Sequence, residues 1–358
     1  MALLKNKMKL NKVSLDFSNY YMFLKGVEKS GKTTMCRDLT LKLYGKAEAG
    51  LLLAIGKEKG YKALDNIQAL DVEDWGEFQE AVEDLIENRD EYKDIKMIYI
   101  DTLDELIELA EKQTITYSNR TTNKKVTTLN AALGGYGAGR KYLCKIVDEM
   151  LSGLKHAGYG LIVIGHTKLK TIKEQGMTEE QEFQILDSNL NADYANIVAH
   201  KADVIATINV EREINDSKRV TDTKRYIYFR SNGFINAGTR FSNIVDRVEL
   251  SADNFIKAIE DAIKGSMSTP MSDEELAKRR QEELVENEKK AEEFRAKQKA
   301  NTKYTLEQKQ EKLAEIQRNA AKIDMLKLKE VMGKYNVTSF ADPESTPSKC
   351  IDEILALI

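Results

Sequence analysis

From Tyr20 to about Ile263, short apolar runs alternate with stretches whose apolar residues recur every three or four positions. The short runs are Tyr21–Lys25, Leu51–Ile55, Met97–Ile100, Leu161–Ile164, Val204–Asn209 and Tyr226–Phe229, and their composition predicts strands. The helical spacing falls in Thr34–Tyr44, with Met35, Leu39 and Leu43, and in Trp75–Asn88, Leu103–Tyr117 and Lys141–His156. This alternation predicts an α/β fold: a mostly parallel sheet with helices on both faces. The pattern changes after Gly265-Ser266-Met267-Ser268-Thr269-Pro270. From Ser272 to Ala300 acids and bases are dense and nearly balanced, and Leu276, Leu284, Val285 and Phe294 are too few for a heptad seam. That segment reads as a solvated helix or a mobile linker. Two further helices are expected near Ala320–Tyr335 and Pro347–Leu357, joined by Asn336–Thr346 with Pro343. The predicted organisation is a core over 1–265, a charged helical linker over 266–321 and a small helical C-terminal module over 322–358.

The chain has 358 residues, enough for a large α/β domain plus a smaller one. Lys and Arg number 55 and Asp and Glu 58, so the net charge of -3 excludes a globally basic binder of nucleic acid but leaves room for local basic loops. Cys36, Cys144 and Cys350 are far apart and have no C-x-x-C spacing, which predicts neither a disulfide framework nor a zinc site and fits a reducing cytoplasm. His156, His166 and His200 also lack metal-ligand spacing. No signal-like hydrophobic region opens the chain, and no apolar run approaches the roughly 20 residues that span a bilayer. A cytoplasmic protein without a membrane partner is expected.

Chemistry concentrates first in Gly26-Val27-Glu28-Lys29-Ser30-Gly31-Lys32-Thr33, a complete G-x-x-x-x-G-K-T phosphate loop. It lies between a predicted strand and the helix that begins at Thr34, the context the motif requires. Backbone N–H groups and the positive helix end face the phosphates, and large side chains would obstruct that approach. Lys32 can reach the β- and γ-phosphates, and the Thr33 hydroxyl can ligate Mg²⁺. The expected cofactors are ATP and Mg²⁺, bound by Gly26 through Thr34.

Three strand ends supply the second layer. Met97-Ile98-Tyr99-Ile100 runs into Asp101, a carboxylate placed to help hold Mg²⁺ beside Thr33, or to cap the following helix, or both. The run Leu51 to Ile55 leads through Gly56-Lys57 to Glu58, an acid able to orient or deprotonate water if it projects into the crevice. An exposed loop acid between Lys57 and Lys59 is the alternative. The third run, Leu161-Ile162-Val163-Ile164, ends at Gly165-His166. His166 can sense the γ-phosphate or serve simply as a core or capping histidine.

This order, phosphate loop, Glu58, Asp101, long polar segment, His166 and a second long segment, resembles the core of RecA-type recombinases. More narrowly, Glu58-Lys59-Gly60-Tyr61, Ile100-Asp101-Thr102-Leu103-Asp104-Glu105-Leu106, Tyr136-Gly137-Ala138-Gly139, Gly158-Tyr159-Gly160 with His166, and Ala237-Gly238-Thr239-Arg240-Phe241 are similar to segments of phage-encoded RecA-like ATPases of the Sak type. The similarity covers about Leu15 to Ile263, and Ile55-Gly56-Lys57 departs from it by delaying the Glu-Lys-Gly. The resemblance implies a RecA-like P-loop NTPase in which Glu58 activates water and His166 couples the γ-phosphate to a DNA-binding loop. It also implies a homo-oligomer, ring or filament, assisting single-strand annealing and recombination in the host cytoplasm. A single-strand-binding protein is a candidate partner. RecA-type cores commonly complete the site with a neighbour's basic residue, for which Lys224, Arg225 and Arg230 are candidates.

Thr114–Lys141 and Thr167–Leu190 are expected to be long loops that contact single-stranded DNA. Arg120, Lys124, Lys125, Arg140 and Lys141 lie in the first, Lys168, Lys170 and Lys173 in the second, and Tyr117 and Tyr136 are candidates for base stacking. Plain solvated loops are the alternative. Rival readings are a replication helicase-loader or ring-type DNA motor, a thymidylate-like nucleotide kinase, and a structural or signalling NTPase without DNA. The kinase reading lacks an Asp-Arg-Tyr pair after a strand and an Arg-rich lid.

Overall fold

The computed structural model describes residues 12–57, 59–122, 125–173, 182–216, 219–267, 269, 271–301, 306–320, 323–335, 337 and 346–357. The apolar runs form strands β1 (Tyr21–Gly26), β2 (Gly50–Ile55), β3 (Gln68–Val72), β4 (Met97–Asp101) and β5 (Gly160–Ile172). They continue as β6 (Phe183–Ser188), β7 (Val204–Ile214), β8 (Val220–Tyr228), β9 (Gly238–Thr239) and β10 (Arg247–Glu249). The principal sheet runs β10-β8-β7-β1-β5-β4-β2-β3. From β7 through β3 the neighbours are parallel, whereas β8 is antiparallel to β7 and β10 antiparallel to β8. This is the mostly parallel sheet that the alternating pattern predicts.

Helices cover both faces of the parallel strands, so every residue of β1, β2 and β4 is buried. The helices are α1 (Lys32–Tyr44), α2 (Trp75–Glu87), α3 (Leu103–Thr122), α4 (Ala138–His156), α5 (Ala192–Ala199) and α6 (Ala252–Gly265). Met22, Leu24, Leu52, Tyr99, Ile162 and Ile208 form one core layer with Met35 and Leu39 of α1 and Phe255 and Ile259 of α6. On alternate positions Phe23, Leu53, Ile100 and Val163 are also buried, as are Phe78 of α2, Leu106 of α3 and Leu143 of α4. Side chains alternate across a strand, which is why one apolar run feeds two layers.

Among the described residues, much of both predicted long loops is regular structure, and 123–124 and 174–181 lie outside the described residues. Residues Thr114 to Thr122 extend α3, and Ala138 to Lys141 already belong to α4. A 3-10 turn at Leu129–Gly134 lies between them. The second predicted loop is a ribbon: β5 continues past His166 to Ile172 and pairs antiparallel with β6, from Thr167 opposite Ser188 to Ile172 opposite Phe183. Lys168 and Lys170 therefore sit on a strand.

The chain divides into two compact units, Met1–Glu288 and Lys289–Ile358, with the boundary inside the charged helix α7 (Asp273–Asn301). Within the first unit, the Glu283 carboxylate accepts from the Leu15 backbone N–H and from Asn19 Nδ2. The second unit contains α8 (Leu306–Arg318), α9 (Met325–Lys334) and α10 (Ser348–Leu355). Its apolar core joins Leu313 and Ile316 of α8 to Ile323, Cys350, Ile351 and Ile354. Much of the predicted connection from Asn336 to Thr346 lies outside the described residues. Among the described residues, no helix is long and apolar enough to cross a membrane.

Phe229 follows β8, is wholly buried and packs its ring 5.4 Å from that of Phe255 on α6. Phe229→Ala should destabilise the fold by about 3–5 kcal/mol, the range for emptying an aromatic core position. Chemical denaturation measures this, and an unchanged midpoint would remove the α6 layer from the stabilising core.

Candidate functional site

The carboxyl ends of β1 and β4 flank the middle of β5, which pairs with β1 on one edge and β4 on the other. That juxtaposition sets Gly26, His166 and Asp101 along one rim of the sheet. The loop leaving β1 turns through Lys29 at φ 57 and Gly31 at φ 101 before α1 begins. Gly31 occupies the left-handed region that disfavours side chains. A Cβ on Gly26 would fall 2.7 Å from Ser30 Oγ and 3.1 Å from the Ile208 carbonyl oxygen, so the cradle has room only for glycine.

Lys32 is buried at the first turn of α1. Its Nζ donates to the carbonyls of Gly26 (3.0 Å) and Val27 (2.9 Å) and lies 3.3 Å from His166 Nδ1. Thr33 Oγ1 donates to Asp101 Oδ2 at 2.8 Å. The phosphate-loop lysine, the hydroxyl, the strand-end acid and the mid-strand histidine thus converge as a single group.

The donor set fits a magnesium–nucleoside triphosphate. Ser30 Oγ is buried and has no hydrogen-bond partner among the described residues, the α1 N-terminus carries no side-chain cap, and the glycines leave the loop backbone accessible. Among the described residues there is no cluster of three His, Cys, Asp or Glu able to enclose a metal ion. A hydroxyl and one carboxylate suit Mg²⁺ instead, which commonly keeps waters and phosphate oxygens as its other ligands.

Behind this group lies a layer that sequence reasoning missed. Asp104, in the first turn of α3, accepts the His166 backbone N–H on Oδ2 (3.0 Å) and the Asn189 side-chain amide on Oδ1 (3.4 Å). The Asn189 N–H in turn donates to the His166 carbonyl at 2.8 Å, which closes the base of the β5–β6 ribbon. Glu105 Oε2 accepts the Lys57 N–H at 3.2 Å and holds the end of β2 against α3. The available signal was a pair of acids in the first turn after a buried strand. Glu58 itself lies outside the described residues, as does Lys124.

The basic residues are scattered over several elements. Lys125, Arg140, Lys141 and Lys168 are exposed or nearly so. Arg140 pairs with Asp193 of α5 at 3.0 Å, and Lys170 donates to the Leu190 carbonyl at 2.8 Å. The Arg120 guanidinium lies 5.9 Å from the centre of the Tyr117 ring, which stacks on Tyr142 at 4.6 Å. Tyr136 is fully exposed in a turn where Leu133 through Gly137 all have positive φ.

The two candidate arginines take different places. Arg225 pairs with Val210, beyond the Ile208 that faces Gly26, so it stands at the rim of the phosphate loop. Its carbonyl accepts the Leu250 N–H, and Leu250 Cδ2 comes within 3.3 Å of where a Gly31 Cβ would lie. Arg230 follows Tyr228, which pairs with Thr207, and so points the chain away from that rim. Its Nε donates to the Ile244 carbonyl at 3.1 Å and lies 3.5 Å from Asp246 Oδ1.

Residues 18–241 match an AAA domain family, AAA_24. Among solved structures, a KaiC-like protein from the hyperthermophilic archaeon Pyrococcus horikoshii OT3 is similar at 12% identity over 65% of this chain and 86% of that one, with a TM-score of 0.34. No match is found among the curated proteins. The family match spans more than half of the 358 residues and encloses the phosphate loop, Asp101 and His166. The chain is a nucleotide-binding P-loop NTPase with a RecA-like fold, and it belongs to this AAA domain family.

Proposed function

We propose that the chain is a Mg²⁺-dependent ATPase that assembles on single-stranded DNA and assists phage recombination or annealing, as in the Sak-type family it resembles. The observation that carries this reading is the unbroken contact path from Lys32 through His166 to Asp104 and Asn189, which ends at the base of a basic ribbon. Such a path suits an enzyme whose nucleotide state alters its grip on a polyanion. Lys168 and Lys170 on the ribbon, with Lys125, Arg120 and Lys141 nearby in sequence to the preceding turn, supply the cations. Tyr136 offers an exposed ring on which a base can stack.

In this reading Lys32 and the loop N–H groups bind and orient the phosphates, and Thr33 with Asp101 would hold the metal. When bound, Mg²⁺ would supply positive charge that offsets the negative charge of the phosphates. Glu58 takes the proton of the attacking water, and His166 registers the γ-phosphate through its ring while its backbone N–H stays fixed on Asp104. Arg225, exposed at the rim, is the candidate cation for a neighbouring protomer's site, whereas Arg230 is engaged within its own chain.

Lys32→Ala removes charge-assisted hydrogen bonds and should cost about 1.5–3 kcal/mol of nucleotide binding, a weakening of roughly 10- to 100-fold. Glu58→Gln should keep binding and lower turnover on the order of 10²–10⁴-fold. Titration with a fluorescent nucleotide and steady-state phosphate release measure both. Wild-type turnover by Glu58→Gln would retire the base assignment.

Single-stranded DNA should raise the ATPase rate, and its affinity should fall steeply with salt. Changing Lys125, Lys141 and Lys168 together to alanine should flatten the slope of log affinity against log salt by about 2, given roughly 0.7 per phosphate contact on single strands. An unchanged slope would remove these residues from the interface. Transfer of phosphate to dTMP instead of water would favour a kinase.

If Arg225 acts in trans, mixing inactive Arg225→Ala and Lys32→Ala proteins should restore activity through composite sites. An arginine finger is worth roughly 10³–10⁵-fold in rate, so the recovery should be plain. Full activity of Arg225→Ala alone would exclude it.

A further inference from the structure

Lys25 is a charged residue in a strand that is otherwise apolar and buried, and it immediately precedes Gly26 of the phosphate loop. It is 2% exposed. A buried ammonium requires a partner. Its Nζ donates to Asp187 Oδ1 at 2.8 Å, and Asp187 belongs to β6, the returning strand of the ribbon. Asn236 Nδ2 donates to the same oxygen at 2.8 Å, while the Asn236 carbonyl accepts from Thr207 Oγ1 at 2.7 Å. Thr207 is the β7 residue paired with Lys25, so the contacts close a ring from β1 through β6 and back to β7. Lys170 Nζ lies 3.9 Å from the other Asp187 oxygen.

Burial lowers the Lys25 pKa, an effect that Asp187 opposes. Burial also works against the Asp187 carboxylate, but the Lys25 ammonium together with hydrogen bonds from the Ser188 backbone and the Asn236 amide leaves that pKa below its ordinary value. A second, apolar contact runs parallel to the ion pair. Val27 of the phosphate loop packs against a small cluster of Leu186 of β6, Tyr228, Ile235 and Ala237.

We propose that Lys25 and Asp187 are positioning residues that lock the phosphate loop to the β5–β6 ribbon, so that nucleotide occupancy at the loop is transmitted to the ribbon through this pair. The inference rests on nucleotide binding at the phosphate loop and is independent of what the ribbon contacts. Gly26 follows Lys25 directly, and its carbonyl is one of the two that Lys32 Nζ engages. When the Lys32 ammonium turns towards phosphate it gives up the Gly26 carbonyl, and that change lies one residue from Lys25. From there the ion pair passes it to β6, the half of the ribbon that β1 does not touch through strand pairing.

The test is hydrogen–deuterium exchange of the ribbon amides, Thr167–Ile172 and Phe183–Ser188, in the full chain. It is run with and without a saturating non-hydrolysable ATP analogue and Mg²⁺, with saturation checked by a fluorescent-nucleotide titration. In the native protein the analogue should slow ribbon exchange. Asp187→Asn, which keeps the shape and loses the charge, should cut that slowing by about fivefold or more, the lower end of ordinary coupling between sites. Lys25→Met with Asp187→Leu guards against a merely structural effect, because replacing a buried ion pair by apolar residues of similar volume is often neutral for stability. This double variant should keep its thermal midpoint and lose the nucleotide response.

A full response in the double variant would overturn the proposal. So would a native protein that binds the analogue without any change in the ribbon. A native protein that binds no nucleotide would overturn the nucleotide-site reading itself, and the binding titration separates that outcome from the others.

Discussion

The Lys32 ammonium is the charge about which this structure is arranged. It bonds to two carbonyls at the end of β1, approaches His166 at the middle of β5, and is followed by Thr33, which reaches Asp101 at the end of β4. These three positions can meet only if the strands are parallel and ordered β1, β5, β4, since an antiparallel neighbour would run from the rim in the opposite direction. Parallel strands require crossover helices, and those helices bury both faces of the sheet. The apolar runs on β1, β4 and β5 are thus the condition for bringing one lysine, one hydroxyl and one acid within hydrogen-bond reach.

The parts legible in the sequence are those where one residue type meets a requirement alone. A backbone that approaches phosphate closely needs glycine where a Cβ would collide, as at Gly26, or where φ is positive, as at Gly31. Fully buried strands need uninterrupted apolar residues. The extension of α3 was hidden for a different reason. Thr114, Thr116, Thr121 and Thr122 are β-branched and favour other conformations, yet all four lie in α3, where each hydroxyl donates to the carbonyl four residues back. The ribbon was hidden by charge: Thr167 to Ile172 alternates in the manner of a strand, but its lysines read as a solvated loop. β3 is short and half exposed, with little apolar signal to find.

The layer behind the site was illegible because its partners are remote in sequence. Lys25 stands out as a charge within an apolar strand, yet its acid lies 162 residues further on. Asp104 holds a backbone N–H that is 62 residues away. One chain's pattern reveals that a buried charge must be paired, but not with what. Proximity supplied by the fold is what turns these residues from anomalies into contacts.

The continuity of β5 bears most directly on how the parts work together. Its first half is the sheet strand between β1 and β4, and its second half, from Thr167, is one side of the ribbon. His166 sits at the changeover, with its backbone bonded on one side to Asp104 and on the other to Asn189. A flexible loop at this position would dissipate a displacement of the histidine in its own torsions. A strand that continues with its pairing partner already engaged has few soft dihedrals to absorb one, which is the property that the proposed coupling of His166 to the ribbon requires. Attachment at β5 alone would still let β6 twist freely about its neighbour. The second attachment, from Lys25 of β1 to Asp187 of β6, ties that strand to the one that ends in the phosphate loop, and this is the constraint on which the proposed coupling rests.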